Sequence, residues 1–126
     1  MNLQSYLDYI GTPWGRLFYR LVWKDLAFYG KRVLDFGCGF GVTASRLAAE
    51  NEVVALEPNG EMLLRGVREH PYVQICGGIE ALSQFDDESF DVILCHNVLE
   101  YAVEREAILH EFSRLLKAGG VLSVVK

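Results

Sequence analysis

The chain has 126 residues, 51% of them hydrophobic, and a formal net charge of −5 at pH 7. This length and apolar content predict one globular domain with a core of its own and exclude a disordered tail. The net negative charge disfavours a general nucleic-acid binder, and no apolar run approaches the roughly 18 residues that would span a membrane.

The first 30 residues are predicted to be helical. Thr12 followed by Pro13 favours a helix start, because a capping side chain precedes a residue suited to the first turn. Apolar residues then recur at helical spacing. We predict a helix over 13–29, a weaker one near 2–10, and an N-terminal helical arm over 1–30.

Basic residues in this arm leave two interpretations open. Arg16, Arg20 and Lys24 recur every four residues and so share one helix face. We favour a solvated face opposite the apolar one. The alternative is a strip that meets an anionic acceptor such as RNA.

From residue 31 onward, short apolar runs alternate with helical stretches. Continuous apolarity within each run is typical of strands covered on both faces. The alternation predicts an α/β fold with a doubly wound, mostly parallel sheet and right-handed crossovers. The predicted strands are 32–36, 53–56, 72–76, 90–95 and 121–125, and the predicted helices between them are 42–50, 59–69 and 104–117.

The last predicted strand, 121–125, reaches the end of the chain without a turn signal. An apolar strand at a sheet edge would leave backbone groups unpaired. We therefore expect either that the domain over 31–126 is incomplete at its C-terminal end or that a partner covers the edge, for example a second copy in a homodimer.

Cysteine usage indicates the compartment. Cys38, Cys76 and Cys95 are far apart and odd in number, which favours a reducing cytoplasm over a disulfide scaffold. No CxxC or paired histidine spacing suggests zinc, and we expect no metal. Cys38 and Cys95 fall at predicted strand ends, where they are either reactive thiols or, as we favour, small apolar fillers.

A glycine-rich turn follows the first strand. In VLDFGCGFG (33–41), Gly37, Gly39 and Gly41 permit a tight loop that a ligand can approach closely. Ligands of open parallel sheets bind beyond the carboxyl ends of the strands, where this loop lies. Glu57 ends the second strand 20 residues after Gly37, where a carboxylate can accept both hydroxyls of a ribose.

The ligand of this loop has two candidates. A dinucleotide site has the pattern GxGxxG, but Val42 stands where the last glycine would be. Asp35, two residues before the first glycine, disfavours a pyrophosphate and favours a cation or an ammonium group. S-adenosylmethionine, a nucleoside with a sulfonium and an amino-acid end, fits better, and a nucleotide-dependent oxidoreductase of the NAD type remains the alternative.

The sequence resembles the class I S-adenosylmethionine-dependent methyltransferases over residues 31–126. The family's Rossmann-like sheet has seven strands, of which five are visible here, so the last two are missing. The resemblance implies that the N-terminal arm can act as a lid over the cofactor. The matching motifs, in family order, are VLDFGCGFG (33–41), VVALEPN (53–59), GGIEALSQF (77–85), SFDVILCHNVLEY (89–101) and LLKAGGVLSVV (115–125).

The resemblance also assigns cofactor contacts. Gly78 stands where the family usually has an acid for the adenine amino group, and Ile79 or Glu80 could compensate. The fourth motif ends beside the methionine moiety and the acceptor. The cofactor-binding residues implied are Asp35, Gly37, Cys38, Gly39, Gly41, Glu57, Pro58, Met62, Gly78, Ile79, Glu80, His96 and Asn97.

Methyl transfer to such an acceptor needs a base only if the acceptor must lose a proton. His96 is the first candidate and Glu100 the second. The alternative, which we favour, is that His96 only lines the pocket and Glu100 caps or faces solvent. The expected acceptor is a small molecule or RNA, and a domain that binds the cofactor without turnover is a further alternative.

Overall fold

The computed structural model describes residues 12–13, 27–96 and 104–125. The elements in these ranges alternate as expected for an α/β fold. The strands are β1 (Arg32–Phe36), β2 (Glu52–Glu57), β3 (Val73–Cys76), β4 (Phe90–His96) and β5 (Leu116–Val125), and the helices are α1 (Val42–Leu47), α2 (Gly60–Leu64), a 3₁₀ helix (Ile79–Gln84) and α3 (Arg105–Leu115).

The five strands form one sheet in the order β3-β2-β1-β4-β5, and all four neighbouring pairs are parallel. The strand order reverses at β1, because β2 and β3 lie to one side of it and β4 and β5 to the other. This confirms the predicted doubly wound sheet. Ligands of such sheets bind at the carboxyl edge beside the reversal, so the topology directs attention to the loop after β1.

Both faces of the sheet are buried. On one face, Leu34 and Ile93 belong to an apolar cluster that includes Phe112 of α3. On the other face, Val33 and Ala55 belong to a second cluster that includes residues of α1. Successive residues of a strand point to opposite faces, so burial on both sides explains why the central strands are continuously apolar rather than alternating.

The three predicted helices are shorter than their sequence patterns suggested, and α3 spans Arg105–Leu115 rather than 104–117. Helix α1 ends at Leu47 rather than near residue 50, because the Asn51 side chain donates a hydrogen bond to the Leu47 carbonyl and terminates the helix. Helix α2 ends at Leu64 rather than at 69. There the chain folds back, so that the Val67 amide donates to the Phe40 carbonyl at 2.7 Å.

Strand β5 is longer than predicted. It begins at Leu116 rather than at 121, and its pairing with β4 shifts in register between Leu116 and Val121. Gly119, with φ +79°, lies in this irregular stretch. The chain thus passes directly from α3 into a bulged strand. The apolar pattern of 121–125 did not reveal this early start of the strand.

Most of the predicted arm over 1–30 lies outside the described residues, including the helix near 2–10 and the strip of Arg16, Arg20 and Lys24. Pro13 is helical, whereas 27–29 have no regular structure, so the predicted helix over 13–29 does not reach its expected end. Phe28 packs against the cluster around Val33. Among the helices that the structure describes, none has the length and apolarity needed to cross a bilayer.

Candidate functional site

The glycine loop lies against the end of β2. The amides of Gly37 and Cys38 both donate to the Leu56 carbonyl, at 2.8 and 2.9 Å. Gly37, Gly39 and Gly41 have φ values of +79°, +58° and +73°, in the left-handed region that side chains disfavour. The alternation of glycines is therefore a backbone requirement, and it keeps the loop bare of side chains at the carboxyl edge.

Gly41 is also crowded by Tyr72. A Cβ atom at position 41 would overlap the hydroxyl of Tyr72, which donates to the Val67 carbonyl at 2.8 Å. Tyr72 is buried, with 6% of its surface exposed. The loop is thus supported from behind by a tyrosine that the sequence analysis treated only as the start of a strand.

Glu57 ties the loop to the next strand. Its Oε1 atom accepts a hydrogen bond from the Gly39 amide at 2.9 Å, and its Oε2 atom accepts one from the Asn59 amide at 3.0 Å. The residue is 8% exposed. Two backbone donors stabilise the negative charge on this carboxylate and hold it at the mouth of the loop.

Asp35 is the second buried acid at this edge. It is 5% exposed, and within the described ranges no hydrogen bond or ion pair reaches its carboxyl group. Burial, and secondly the negative charge of Glu57, raise the pKa of Asp35 from 3.8 to about 7. A buried acid of this kind complements a cationic group better than an anionic one.

The register of the strands places the polar side chains of the edge on one face. Asp35 is in register with Ala55 of β2 and Leu94 of β4. Glu57 and His96 lie two residues beyond these partners, and alternate residues of a strand share a face. Asp35, Glu57 and His96 therefore project to the same side of the sheet, the side that carries α1.

Three other predicted contacts lie beside the loop. The Met62 methyl group would be 3.4 Å from a Cβ atom on Gly39, so α2 covers the middle of the loop. Pro58 is exposed, and its carbonyl accepts a weak hydrogen bond from the Cys76 thiol at 3.6 Å. Burial, followed by the charges of Asp35 and Glu57, raises the pKa of the Cys38 thiol, which argues against a reactive thiolate at this position.

The turn after β3 holds Gly78, Ile79 and Glu80. The Glu80 carboxylate folds back and accepts the Gly78 amide at 2.8 Å, a bond that lowers the pKa of Glu80. Its second oxygen lies 3.3 Å from where a Cβ atom on Gly78 would be. Glu80 therefore occupies the space beside Gly78, and Ile79 packs against the apolar cluster below.

His96 ends β4 and is half-buried. Its Nε2 atom lies 3.0 Å from the Ser123 hydroxyl on β5, and burial lowers the pKa of the ring below its ordinary 6.5. This shift favours the neutral form of the ring. Cys95, the preceding residue, is fully buried in the apolar core, as expected for a filler. Asn97 and Glu100 lie outside the described residues.

Sequence patterns did not identify three residues that shape this edge. Asn59 caps α2 by accepting the amides of Glu61 and Met62, a role that its position before the helix could have indicated. Tyr72 and Ser123 act through contacts between strands far apart in sequence, and no local signal identifies them. Within the described ranges, no cluster of three or more histidine, cysteine or acidic side chains could hold a metal ion.

The sequence of this chain is similar to those of known proteins. A family model described as a methyltransferase domain matches residues 34–124. Among curated proteins, a ubiquinone biosynthesis O-methyltransferase of Vibrio atlanticus is 31% identical over 105 residues, which are 77% of this chain and 44% of that protein. The chain thus spans less than half the length of such relatives.

Solved structures share the same architecture. A protein of Methanococcus maripaludis superposes with a TM-score of 0.79 over 95% of this chain and 61% of its own, at 16% identity, which shows the fold alone. The 4+2 cyclase SpnF has a TM-score of 0.72 at 25% identity, over 85% of this chain and 43% of its own. Since the family model covers well over half of the sequence, including the glycine loop and Glu57, the chain belongs to the family of methyltransferase domains.

Proposed function

We propose that this chain is the S-adenosylmethionine-binding part of a methyltransferase that acts on a small molecule. The observation that carries the proposal is the pair of buried carboxylates, Asp35 and Glu57, on either side of a bare glycine loop. Two acidic side chains disfavour a diphosphate at this point, whereas a nucleoside with an ammonium group complements them.

Glu57 has the capacity to bind a ribose while it holds the loop. An ionised carboxylate offers about four lone-pair positions, and the Gly39 and Asn59 amides use one on each oxygen. One position therefore remains on each oxygen, which suits the two hydroxyls of a ribose. Charge-assisted bonds of this kind are stronger than neutral ones.

The remaining predicted contacts follow the same edge, and they stay proposals. Gly37, Cys38, Gly39 and Gly41 would contact the ligand through the backbone loop, with Pro58 and Met62 beside it. Glu80, which fills the space next to Gly78, would take the place of the missing acid for the adenine amino group, and Ile79 would offer its amide. His96 and Asn97 would lie on the methionine side.

The chemistry in such a site depends on position. The bound cofactor supplies a methyl group already activated on a sulfonium, so the protein's residues chiefly align the reactants. A base at the end of β4 is needed only for an acceptor that must lose a proton. His96, whose neutral form is favoured because burial lowers its pKa, is the first candidate for this role, and Glu100 is the second.

A test of His96 separates a base from a lining residue. If His96 takes a proton, His96→Ala lowers kcat by about 10²-fold or more at pH 7, and the rate loses its fall on the acid side. His110, which is exposed on α3, provides the control His110→Ala. The measurement is transfer of labelled methyl to a small hydroxyl-bearing acceptor, and unchanged turnover would leave His96 as a lining residue only.

The acceptor that we propose is a hydroxyl group on a small molecule. Support comes from curated relatives named as O-methyltransferases. RNA remains the other acceptor class, through the basic strip of the N-terminal arm. The cyclase SpnF shares this fold, so the fold alone does not fix the reaction. A domain that binds the cofactor without transferring its methyl group is therefore a third candidate.

Ligand titration tests the proposed function. We expect S-adenosylhomocysteine to bind the chain and NADH not to bind, as measured by calorimetry. Glu57→Gln should weaken binding by about 10–100-fold, because it removes a charge-assisted acceptor. Glu61→Gln is the matched control, since Glu61 is exposed on α2 and pairs with Arg65. Binding of NADH alone would establish the oxidoreductase alternative instead.

We also propose a second copy of the chain as a partner and a reducing compartment, the cytoplasm, as the location. Val121, Leu122 and Val124 of the edge strand β5 are each at least 37% exposed, which supports pairing of two such edges. The three cysteines, all within the described ranges, form no disulfide, which supports a reducing compartment. Sedimentation would measure the oligomeric state, and a monomer at all concentrations would exclude the homodimer.

A further inference from the structure

We propose that Arg114, at the opposite edge of the sheet from the glycine loop, is a positioning residue for the cofactor. It anchors the last turn of the 3₁₀ helix and thereby holds the turn before that helix in place against the base of a bound nucleoside. The inference rests on the proposed function and adds to it a residue that determines base selectivity without contact with the ligand.

The segment over 77–89 connects the end of β3 to the start of β4. Both strands run in the same direction through one sheet, so this segment must cross from the carboxyl edge to the amino edge. Its first part is the 3₁₀ helix, a form whose internal hydrogen bonds have poor geometry. The placement of this short helix therefore depends on attachments to other elements.

One attachment lies at the carboxyl edge, beside the proposed ribose contact. The Gly77 amide donates to the Glu57 carbonyl at 3.1 Å, and the Glu80 carboxylate accepts the Gly78 amide at 2.8 Å. The Ala81 amide then donates to the Gly78 carbonyl at 3.0 Å. These bonds place the turn next to the site, but they leave the far end of the helix to be held by something else.

Arg114 supplies the attachment at the amino edge. Helix α3 ends there, because the next residue but one, Leu116, pairs with Phe90 at the start of β4. The Nη2 atom of Arg114 donates to the Leu82 carbonyl at 3.0 Å, and its Nη1 atom donates to the Phe85 carbonyl at 2.9 Å. Carbonyls at the C-terminal end of a helix depend largely on partners from outside it, and here one guanidinium serves two of them.

Acidic side chains orient this guanidinium. Its Nε atom donates to Oε2 of Glu111 at 2.9 Å, and its Nη1 atom donates to Oδ1 of Asp87 at 2.9 Å. The backbone contributes as well, since the Glu88 amide donates to the Arg114 carbonyl at 2.9 Å. An arginine has five donors in one rigid plane, so these contacts fix the directions of the N–H groups that reach the helix.

Loss of these bonds should affect one part of the ligand. The glycine loop and Glu57 are held by bonds that do not involve Arg114, so the proposed contacts to the ribose remain. The turn that carries Glu80 would instead be attached at one end only. We therefore expect weaker recognition of the base, whereas a residue that merely stabilised the fold would affect all adenosyl-type ligands equally.

Calorimetry with two ligands on the full chain measures this selectivity. S-adenosylhomocysteine has an amino group at position 6 of its purine, and S-inosylhomocysteine has an oxygen there. The parent should prefer the amino compound by about 30-fold, because the Glu80 carboxylate can accept a hydrogen bond only from the amino group. Arg114→Met should weaken S-adenosylhomocysteine about tenfold and leave S-inosylhomocysteine nearly unchanged, so that the preference falls to about threefold.

Two further variants complete the design. Arg114→Lys keeps the charge but has a single nitrogen, which cannot hold both carbonyls in the same geometry, so its preference should be intermediate, at about tenfold. If Arg114→Met does not fold, as judged by circular dichroism, Arg114→Lys decides by the same ratio. Arg105→Met changes an exposed arginine at the start of the same helix and should keep the preference of the parent.

The other outcomes are also decisive. If the Arg114 variants weaken both ligands equally, Arg114 only stabilises the fold, and the inference is overturned. It is overturned too if the preference stays at its parent value in these variants, or if the parent binds both ligands equally well. In all three cases S-adenosylhomocysteine still binds the parent, and the proposed function stands. If neither ligand binds the parent, the proposed function fails, and the inference fails with it.

Discussion

Gly41→Ala should lower the free energy of unfolding by about 3 kcal/mol. The left-handed backbone at position 41 costs a non-glycine residue about 1–2 kcal/mol. The new methyl group would in addition overlap the Tyr72 hydroxyl, which must give up its hydrogen bond to Val67, a further loss of about 1 kcal/mol. Urea unfolding followed by circular dichroism measures the change.

A matched glycine separates the two contributions. Gly30 has φ +64°, and no atom lies within 4 Å of the place that a Cβ atom would take, so Gly30→Ala meets backbone strain without overlap. We expect it to cost about 1–2 kcal/mol. Adding Tyr72→Phe to Gly41→Ala should recover part of the difference, because the hydroxyl is then gone. Equal losses for Gly41→Ala and Gly30→Ala would show that Tyr72 does not support the loop.

Asp35→Asn should make the free protein more stable above neutral pH. The folded-state pKa of Asp35 is about 7 and the ordinary value is 3.8, so the folded protein holds a proton that the unfolded chain has already lost. Stability therefore falls as pH rises from about 4 to 7. At 1.36 kcal/mol per pKa unit, this amounts to about 4 kcal/mol at pH 8 and almost nothing below pH 4.

The difference between the parent and the variant is the quantity to measure. Urea unfolding at pH 4, 6 and 8 should give a gap that is near zero at pH 4 and widens to about 4 kcal/mol at pH 8. Asp86→Asn, on its exposed loop, should show no such trend. A gap that stays constant with pH would mean that Asp35 is not protonated in the folded protein.

The substitution Asp35→Asn is expected to have opposite effects on stability and on ligand binding. The same substitution that stabilises the free chain is expected to weaken binding of a ligand that carries an ammonium group. A residue that destabilises the free protein but strengthens ligand binding illustrates the common conflict between stability and activity. Asp35 is the clearest such residue within the described ranges.

The sequence predicted the central sheet well because the signals there are local. Burial on both faces makes each strand a continuous apolar run, as in 32–36 and 90–95, and the strand ends follow within one or two residues. The glycine loop and Glu57 were equally predictable from the sequence, since a turn that requires left-handed backbone leaves glycine at fixed positions.

Features that depend on distant contacts were not predictable. Helix α1 stops because the Asn51 side chain reaches its last carbonyl, and α2 stops because the chain turns toward Phe40. The crowding at Gly41 comes from Tyr72, 31 positions later in the sequence. The raised pKa of Asp35 likewise depends on burial and on the nearby Glu57, so a sequence pattern reveals the acid but not this shift.

Glu80 illustrates a case between these extremes. The resemblance to methyltransferases implies an acid at the position of Gly78, and the sequence has one two residues later. Only the structure shows that the Glu80 carboxylate bends back over Gly78, where one oxygen accepts the Gly78 amide and the other lies 3.3 Å from the place of a Cβ atom.

The bonds from Glu57 to Gly39 and Asn59 have one more consequence. They hold the loop in place in the free protein, so little of the loop's backbone freedom remains to be lost when a ligand binds. Affinity for such a rigid loop depends on how well the shape and charges of the ligand complement it. Small chemical changes to the adenosine portion of a ligand should therefore weaken binding, because the loop has little freedom to adjust to them.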